Sequence, residues 1–449
     1  MSKLWSKGTK LDIAIEKFTV GNDPILDSRL VRADVLGSLA HARMLAAVGL
    51  LEGKQLKTIQ TGLQTILHEQ QKGKFKINVS DEDVHTAIEN RLVELIGEEG
   101  KRIHLGRSRN DQILTAMRIW MRDYQLNLVS KTAVLVQHLI DFAHKHRLTP
   151  MPGHTHMRAA MPSSVGLWAG SFAELLLDDL EGLSGLFYFF DQCPLGSGAG
   201  FGTPLPLDRE LCARLLGFQR VQVNAAYGGL CRGKFESRLV DILEQIAISL
   251  SKLSQDLILY SMPEFAWFDI PEELCTGSSI MPQKRNPDVL ELMRARAVLV
   301  GARAGQIKGI IRALPSGYNR DYQETKDPTM NAADILESMV EIGILVIEKL
   351  GVNKENLLKS FKPEIFAADA AFSLAARGIP FRDAYRMVAK SPGDHRTGSP
   401  LSAIKDRTGI GFPGNLALER AQNALDRIVL KNERNQKRTL AALEALTAQ

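Results

Sequence analysis

Between Phe235 and Ser261 the apolar residues Leu239, Ile242, Leu243, Ile246, Leu250, Leu253 and Leu257 recur at steps of three and four. That spacing lines one face of an α-helix. Four more stretches read as long helices: Ile113 to about His146, Ser163 to about Phe190, Asp288 to Arg312, and Ala332 to Gly351. Lengths of roughly 20 to 30 residues are well beyond the usual mean of about 11–12. Helices this long bury their stripes in a bundle or in the core of a helical oligomer. Shorter helices precede them. Asp34 to Leu51 is one, and another starts at Ser80-Asp81-Glu82-Asp83, carries Val84, Ile88, Leu92 and Leu95, and stops at Gly97. Beyond Phe361 the chain is broken at Pro363, Gly378, Pro380, Pro392-Gly393 and Gly409 to Gly414. Short helices are expected there, with at most a brief extended piece at Ile410 to Phe412. Nothing reads as a strand–helix alternation, a hairpin, a repeat or a low-complexity tract. The fold class is all-α. Boundaries near Arg107 and Phe361 divide it into an N-terminal helical domain (1–107), a central long-helix bundle (108–360) and a C-terminal helical domain (361–449).

The 449 residues suffice for a large core and, on length alone, about three domains. Apolar residues make up 45% and charged residues 24%, the balance of a folded globular protein. Lys and Arg number 56 against 51 Asp and Glu, a net charge of +5. The excess is mild and spread along the chain, so it points to no nucleic-acid surface and suits a small anionic substrate. Cys193, Cys212, Cys231 and Cys275 have neither CxxC spacing nor a compact framework, so free thiols in a reducing compartment are expected. The stretch Met1 to Gly8 lacks the apolar core of a signal peptide, and no run of about 18 apolar residues occurs. The cytoplasm follows by elimination, with no membrane partner.

The chemistry concentrates in Thr276-Gly277-Ser278-Ser279-Ile280-Met281-Pro282-Gln283-Lys284-Arg285-Asn286-Pro287. Glycine and prolines make it a loop, and the next residues begin a helix. Hydroxyl, ammonium and amide groups ahead of a helix N-terminus suit an anion. Such a loop can stabilise the charge that builds on a carboxylate when the neighbouring carbon loses its proton. A bare Gly-Ser-Ser would be an ordinary turn. Leu105-Gly106-Arg107-Ser108-Arg109-Asn110-Asp111-Gln112 sets two guanidiniums and an amide before a helix, which serves equally as a carboxylate reader or a charged cap. Pro152-Gly153-His154-Thr155-His156-Met157 offers two imidazoles on a loop; histidine can pass a proton to a leaving nitrogen near neutral pH. His85 and Glu89 stand one helical turn apart without a third ligand, so no metal is assigned. Pro194 to Gly200 is glycine-rich, but it has neither the strand nor the Lys-Ser/Thr of a phosphate loop.

The full 276–287 string resembles the signature loop of the fumarase/aspartase superfamily, Gly-Ser-Ser-x-Met-Pro-x-Lys-x-Asn-Pro, and most of all its argininosuccinate lyase branch. Four other stretches are similar to that branch: Gly106 to Gln112, Asp83 to Glu89, Pro194 to Ala199, and Tyr318-Asn319-Arg320-Asp321-Tyr322-Gln323-Glu324-Thr325-Lys326. So is Arg377 to Ala384. The likeness runs from about Leu4 to the C-terminus. It implies β-elimination from argininosuccinate to arginine and fumarate, without a cofactor. The roles it implies are Ser278 as base, with His156 the other candidate; Lys284 and Asn286 stabilising the enolate; and Glu291 orienting His156. Arg109, Asn110, Thr155, Tyr318, Gln323 and Lys326 become substrate contacts. It also implies a homotetramer around a twenty-helix core, with each site drawn from three subunits.

The likeness has gaps. Asn224 to Lys234 keeps Arg232 but lacks the family's acids. Arg158 stands where the family has glutamine. Phe18 to Asp27 is longer than its counterpart, and Gly21 to Asp23 lie where the family's substrate-binding serine is expected. These departures leave two alternatives: a related lyase acting on another N-substituted aspartate, and a non-catalytic, crystallin-like protein on the same fold.

Overall fold

A computed structural model describes residues 12–394 and 398–448. The Met1 to Gly8 stretch and the start of the family likeness at Leu4 lie outside them. Asp12 caps α1 (Ile13–Val20), accepting from the N–H groups of Ala14 and Ile15. Then come α2 (Asp23–Asp27), α3 (Val31–Ala47), α4 (Gly53–Gln71) and α5 (Val84–Ile96). α5 ends where expected but starts only at Val84, so the acids of Ser80-Asp81-Glu82-Asp83 precede the helix rather than fill its first turn. Asp83 accepts from the Thr86 N–H at the start, and Gly97 closes the helix at φ +66°, a conformation glycine adopts without a steric cost.

α6 (Arg109–Lys145) runs for 37 residues, about 55 Å at 1.5 Å per residue. It starts one turn earlier than its apolar pattern, because Ser108 and Asp111 form a capping box there. Arg109 and Asn110 are therefore first-turn residues of the helix itself. After α6 come the strands β1 (Pro150–Thr155) and β2 (Arg158–Ser164), then α7 (Val165–Gly185), α8 (Phe187–Phe190), α9 (Arg209–Leu215) and α10 (Ala225–Leu230). The other long helices are α11 (Lys234–Ser261), α12 (Asp288–Ile311) and α13 (Lys326–Lys349). α13 begins before its expected start at Ala332. Pro328 sits in its first turn, where the missing N–H would have had no partner.

α6, α7, α11, α12 and α13 pack on one another as a bundle. The stripe that defined α11 is its buried face: Leu239, Leu243, Ile246, Leu250, Leu253 and Leu257 are all buried. Small residues set the closest crossings. A Cβ on Gly166 of α7 would stand 2.5 Å from the Arg147 Cα, just beyond α6. α12 buries Leu290, Met293, Val300 and Ile307 but leaves Leu292, Val298 and Leu299 in water, with Val298 71% exposed. Among the described residues no helix is long and apolar enough to cross a membrane.

Two expectations fail. The segment read as a loop at Pro152 to Met157 belongs to the antiparallel β1–β2 hairpin. Its prolines and its His-Met turn carry none of the usual hairpin signals. The C-terminal stretch is not uniformly short-helical either. α14 (Lys354–Lys359), α15 (Ala367–Ala376), α16 (Phe381–Ala389) and α17 (Pro400–Lys405) are short, but α18 (Leu418–Thr447) spans 30 residues. It returns to pack on α3, α6 and α7 and adds Leu425, Ile428, Leu443 and Leu446 to the main core. Small clusters of their own form around Ile365, Phe366 and Ala403, and around Ala370, Ala371 and Val388.

Candidate active site

The N-terminus of α6 is the fixed point. The Ser108 N–H donates to Asp111 Oδ1 at 2.8 Å, and the Asn110 N–H donates to Ser108 Oγ at 3.3 Å. Asp111 Oδ2 accepts the N–H groups of Gly196 and Gly198 at 3.0 and 3.1 Å. The glycine-rich run thus wraps a carboxylate of its own chain, in the way such runs elsewhere wrap phosphate. The close packing is real: a Cβ on Gly196 would meet Arg209 Cγ at 2.9 Å.

Around that helix end a cavity of about 80 Å³ gathers five of the residues the sequence singled out: Arg109, Asn110, Tyr318, Gln323 and Lys326. Arg109, Arg320 and Lys326 each pair with carboxylates there, whereas Arg232 faces aromatic rings. Arg109 reaches Asp83 at 3.2 Å and Glu82 at 3.4 Å, and it donates to Thr86 Oγ1 at 3.0 Å. Arg320 donates to Glu82 at 2.9 Å. Lys326, 4% exposed, lies 2.7 Å from Asp23 and 2.6 Å from Asp27. Arg232 lies 5.2 Å from the Tyr318 ring and 5.7 Å from the Tyr322 ring, within cation–π range. The last turn of α1 closes one side: Arg320 and Gln323 donate to Thr19 O at 2.8 and 3.1 Å.

Behind this wall His85 Nδ1 lies 2.5 Å from Asp34 Oδ2, both side chains buried. Burial alone would push the two groups toward neutrality. The charge of each partner wins instead, so Asp34 is held below the usual carboxylate range and His85 above the usual imidazole range. His85 is thus engaged by Asp34, and Glu89 faces His104 at 3.7 Å. Among the described residues no group of His, Cys, Asp and Glu is arranged to hold a metal.

Thr155 and His156 are elsewhere on the chain, at the exposed hairpin tip. His156 and Met157 form a two-residue turn with φ +52° and +60°. The left-handed pair matches strand twist, but it costs non-glycine residues energy. His154, one step back, packs on Trp267 with ring centroids 5.4 Å apart. Arg158 pairs with Thr155 across the turn.

The 276–287 loop makes a third group. Ser278 Oγ accepts the N–H groups of Met281 and Ile280 at 3.2 and 3.4 Å, an arrangement that favours negative charge on that oxygen. The Asn286 side chain donates to Gly277 O at 3.4 Å. Lys284 is exposed, and so is Glu291 on α12. Within one chain no hydrogen bond or ion pair among the described residues joins Ser278, Lys284 or Glu291 to His156, and no described cavity brings the three groups together. Asp27 and Glu82 are cavity walls that the sequence did not single out for the site, whereas Asp23 falls in the stretch standing where the family's substrate-binding serine is expected. The signal available was Asp23 and Asp27 one helical turn apart, beside Pro24.

A family model described as "Lyase" matches residues 8–301. The argininosuccinate lyase of Thermotoga neapolitana is 43% identical over 392 residues, 87% of this chain and 98% of that protein. The argininosuccinate lyase of Sorangium cellulosum is 41% identical over 95% of this chain and 99% of that protein. Among solved structures, EDDS lyase in complex with formate superposes with a TM-score of 0.78 at 23% identity, covering 98% of this chain and 94% of that one. A class II fumarase from Schistosoma mansoni gives 0.73 at 17%, covering 86% and 94%. These structural likenesses concern the fold.

Proposed function

The chain belongs to the argininosuccinate lyase family, and we propose that it splits argininosuccinate into L-arginine and fumarate by β-elimination. Ser278, as alkoxide, removes the proton on the carbon beside a succinyl carboxylate. Lys284 and Asn286 stabilise the doubly charged enolate. His156, oriented by Glu291, delivers a proton to the departing guanidinium nitrogen. Arg109, Asn110 and Thr155 contact the substrate, and Tyr318, Gln323 and Lys326 hold its amino-acid end. The carboxylate is electron sink enough, so the reaction draws on no cofactor.

One observation carries the reading: the Ser278 hydroxyl, with two N–H groups aimed at it, sits in a loop that also holds Lys284 and Asn286. The reading includes a homotetramer in which three subunits complete each site. Support comes from the separation of the three groups on one chain and from the exposed Leu292, Val298 and Leu299 of α12. It also includes the division into 1–107, 108–360 and 361–449, and a cytoplasmic location, in keeping with four free cysteines.

The test mixes the purified protein with argininosuccinate and follows fumarate by ultraviolet absorbance, with adenylosuccinate and aspartate alongside. Release from argininosuccinate alone supports the assignment. A Ser278→Ala variant should lose nearly all turnover yet keep its fold, and surviving turnover would remove Ser278 as base. Arg158, exposed two residues from His156, favours a second reading in which the substrate is another N-substituted aspartate with an extra anionic group. Silence on all three compounds would support that reading, and Arg158→Gln is then the first reversion to make.

A further inference from the structure

We propose that His154 is a positioning residue for His156: its ring, seated on Trp267, sets the direction in which the hairpin tip presents His156, and it moves no proton itself. The inference rests on the lyase reading above, in which His156 delivers a proton to the departing nitrogen.

Support for the tip ends two residues short of His156. Thr155, His156, Met157 and Arg158 are exposed, and their side chains make no hydrogen bond, ion pair or ring contact among the described residues. His154 is the last residue of β1 with ring partners. Its centroid lies 5.4 Å from that of Trp267 and 6.4 Å from that of Phe265, edge-on to the second. Trp267 is a firm seat. It is buried, stacks on Tyr260 at 4.9 Å, and its indole N–H donates to Ser360 Oγ at 2.7 Å. Its main chain is tied too, the N–H to Tyr260 O at 2.9 Å and the carbonyl to the Asn353 N–H at 2.8 Å. Elsewhere the outer hairpin borders a cavity of about 760 Å³, lined in part by Gly153, Thr155, Met161, Phe372 and Phe412, and has no packed wall there. The ladder also slips at this level: Gly153 pairs with Met161 and His154 with Ala159, which leaves Ala160 as a bulge. A bulge bends and twists its strand, so the tip swings about this point unless a side chain holds it. His154 stands at that point. Its Nδ1 lies 3.1 Å from Pro152 O; a carbonyl only accepts, so Nδ1 carries the hydrogen and the ring is held in plane as well as in place. A proton donor displaced by about 1 Å loses on the order of 100-fold in rate, which is how a residue that touches no substrate acts on the chemical step.

The experiment follows fumarate release from argininosuccinate by the full-length protein as wild type, His154→Ala and His154→Phe, across a range of pH. His154→Ala removes the ring and should lower kcat about 10- to 100-fold, with KM changed less than about threefold. His154→Phe restores a ring for Trp267 but cannot carry a proton, and it should recover most of the lost kcat. The shape of the pH profile should be the same in all three, because the titrating group is untouched and only its aim differs. If the alanine variant is poorly folded, His154→Thr, which suits a strand but is too short to cover Trp267, is measured in its place. Undiminished kcat in a folded alanine or threonine variant overturns the proposal. So does a phenylalanine variant as slow as alanine, or one that loses a limb of the pH profile, since either makes the imidazole itself the working group. In both cases wild-type fumarate release leaves the lyase reading standing. A wild type that releases no fumarate overturns that reading and this role with it.

Discussion

Thr276 and Asn286 exchange both of their backbone hydrogen bonds, each 2.9 Å long. The pair ties off the neck of the loop that carries Ser278 and Lys284. Inside the neck the ties are few: the N–H donors to Ser278, one Lys284 N–H to Met281 O at 3.0 Å, and an exposed Arg285–Glu272 pair at 3.2 Å. The loop can therefore hinge at 276 and 286 and move as a flap. Amide hydrogen exchange on the ligand-free protein should be fast for residues 277–285 and slow at Thr276 and Asn286. Slow exchange throughout would mean a rigid loop and rule out a flap.

The hairpin turn should be sensitive to backbone chemistry. Met157 sits at φ +60°, where a β-branched residue is strained and glycine is not. Met157→Val should cost about 1–2 kcal/mol, read as a lowered Tm, whereas Met157→Gly should be neutral or slightly stabilising. On the proposed role of His156, both variants should also turn over more slowly. Equal Tm values for the two would show that the turn is not left-handed in solution.

The buried His85–Asp34 pair should be costly to break from one side. Asp34→Ala takes from the buried His85 its paired carboxylate and from the buried Arg107 a facing negative charge, a loss of about 3–5 kcal/mol by analogy with other buried pairs. Thermal unfolding, or failure to accumulate in soluble form, is the measurement. A change under about 1 kcal/mol would mean that solvent reaches the pair.

Acid should destabilise the protein through its buried neutral histidines. Burial, aided by Arg107, pushes His41 down to about 3, and burial pushes His146 down to about 4. The unfolded chain takes up these protons as pH falls below about 6.5, while the native state stays neutral. The unfolded state then binds more protons, so stability falls with falling pH across that window. Asp23 and Asp111, both raised to about 6 by burial, act in the opposite sense, being protonated earlier in the folded state. A variant comparison separates the two. His41 Nε2 lies 2.8 Å from Leu105 O, a bond that His41→Gln can keep. The Tm of His41→Gln should fall less steeply between pH 6.5 and 4.5 than that of wild type, and parallel curves would exclude His41 from the effect.

The apolar face of α12 offers a test of assembly. Val298→Glu with Leu299→Glu changes side chains that are 71% and 51% exposed on the single chain. The double variant should run as a smaller species in size-exclusion chromatography and lose turnover, with helix content retained. A full-sized, active double variant would place the subunit contacts elsewhere.

How much of this was legible in sequence depends on the kind of signal. α11 was readable end to end because its leucine stripe runs the length of the helix, and Gly97 marked the end of α5, whose start at Val84 was blurred by the run of acids before it. The early start of α6 was hidden because Arg109 and Asn110 break the apolar pattern, although Ser108 and Asp111 already spelled a capping box. The β1–β2 hairpin was invisible, since proline and a His-Met turn are what hairpins normally avoid. For the site, the loop string and the Arg-Asn pair stood out as chemistry. Asp27 and Glu82 did not, because their meaning lies in contact with Lys326 and Arg320, separated from them by 299 and 238 positions.

The return of α18 sets an order of events during synthesis. The Arg43 side chain donates to Leu446 O at 2.6 Å and Gln64 to Thr447 O at 2.9 Å, so residues from the first helices wait for the last ones. While the ribosome is still short of Leu418, the faces of α3 and α6 that α18 covers are bare. A nascent chain in that state exposes apolar surface that only the arrival of α18 covers.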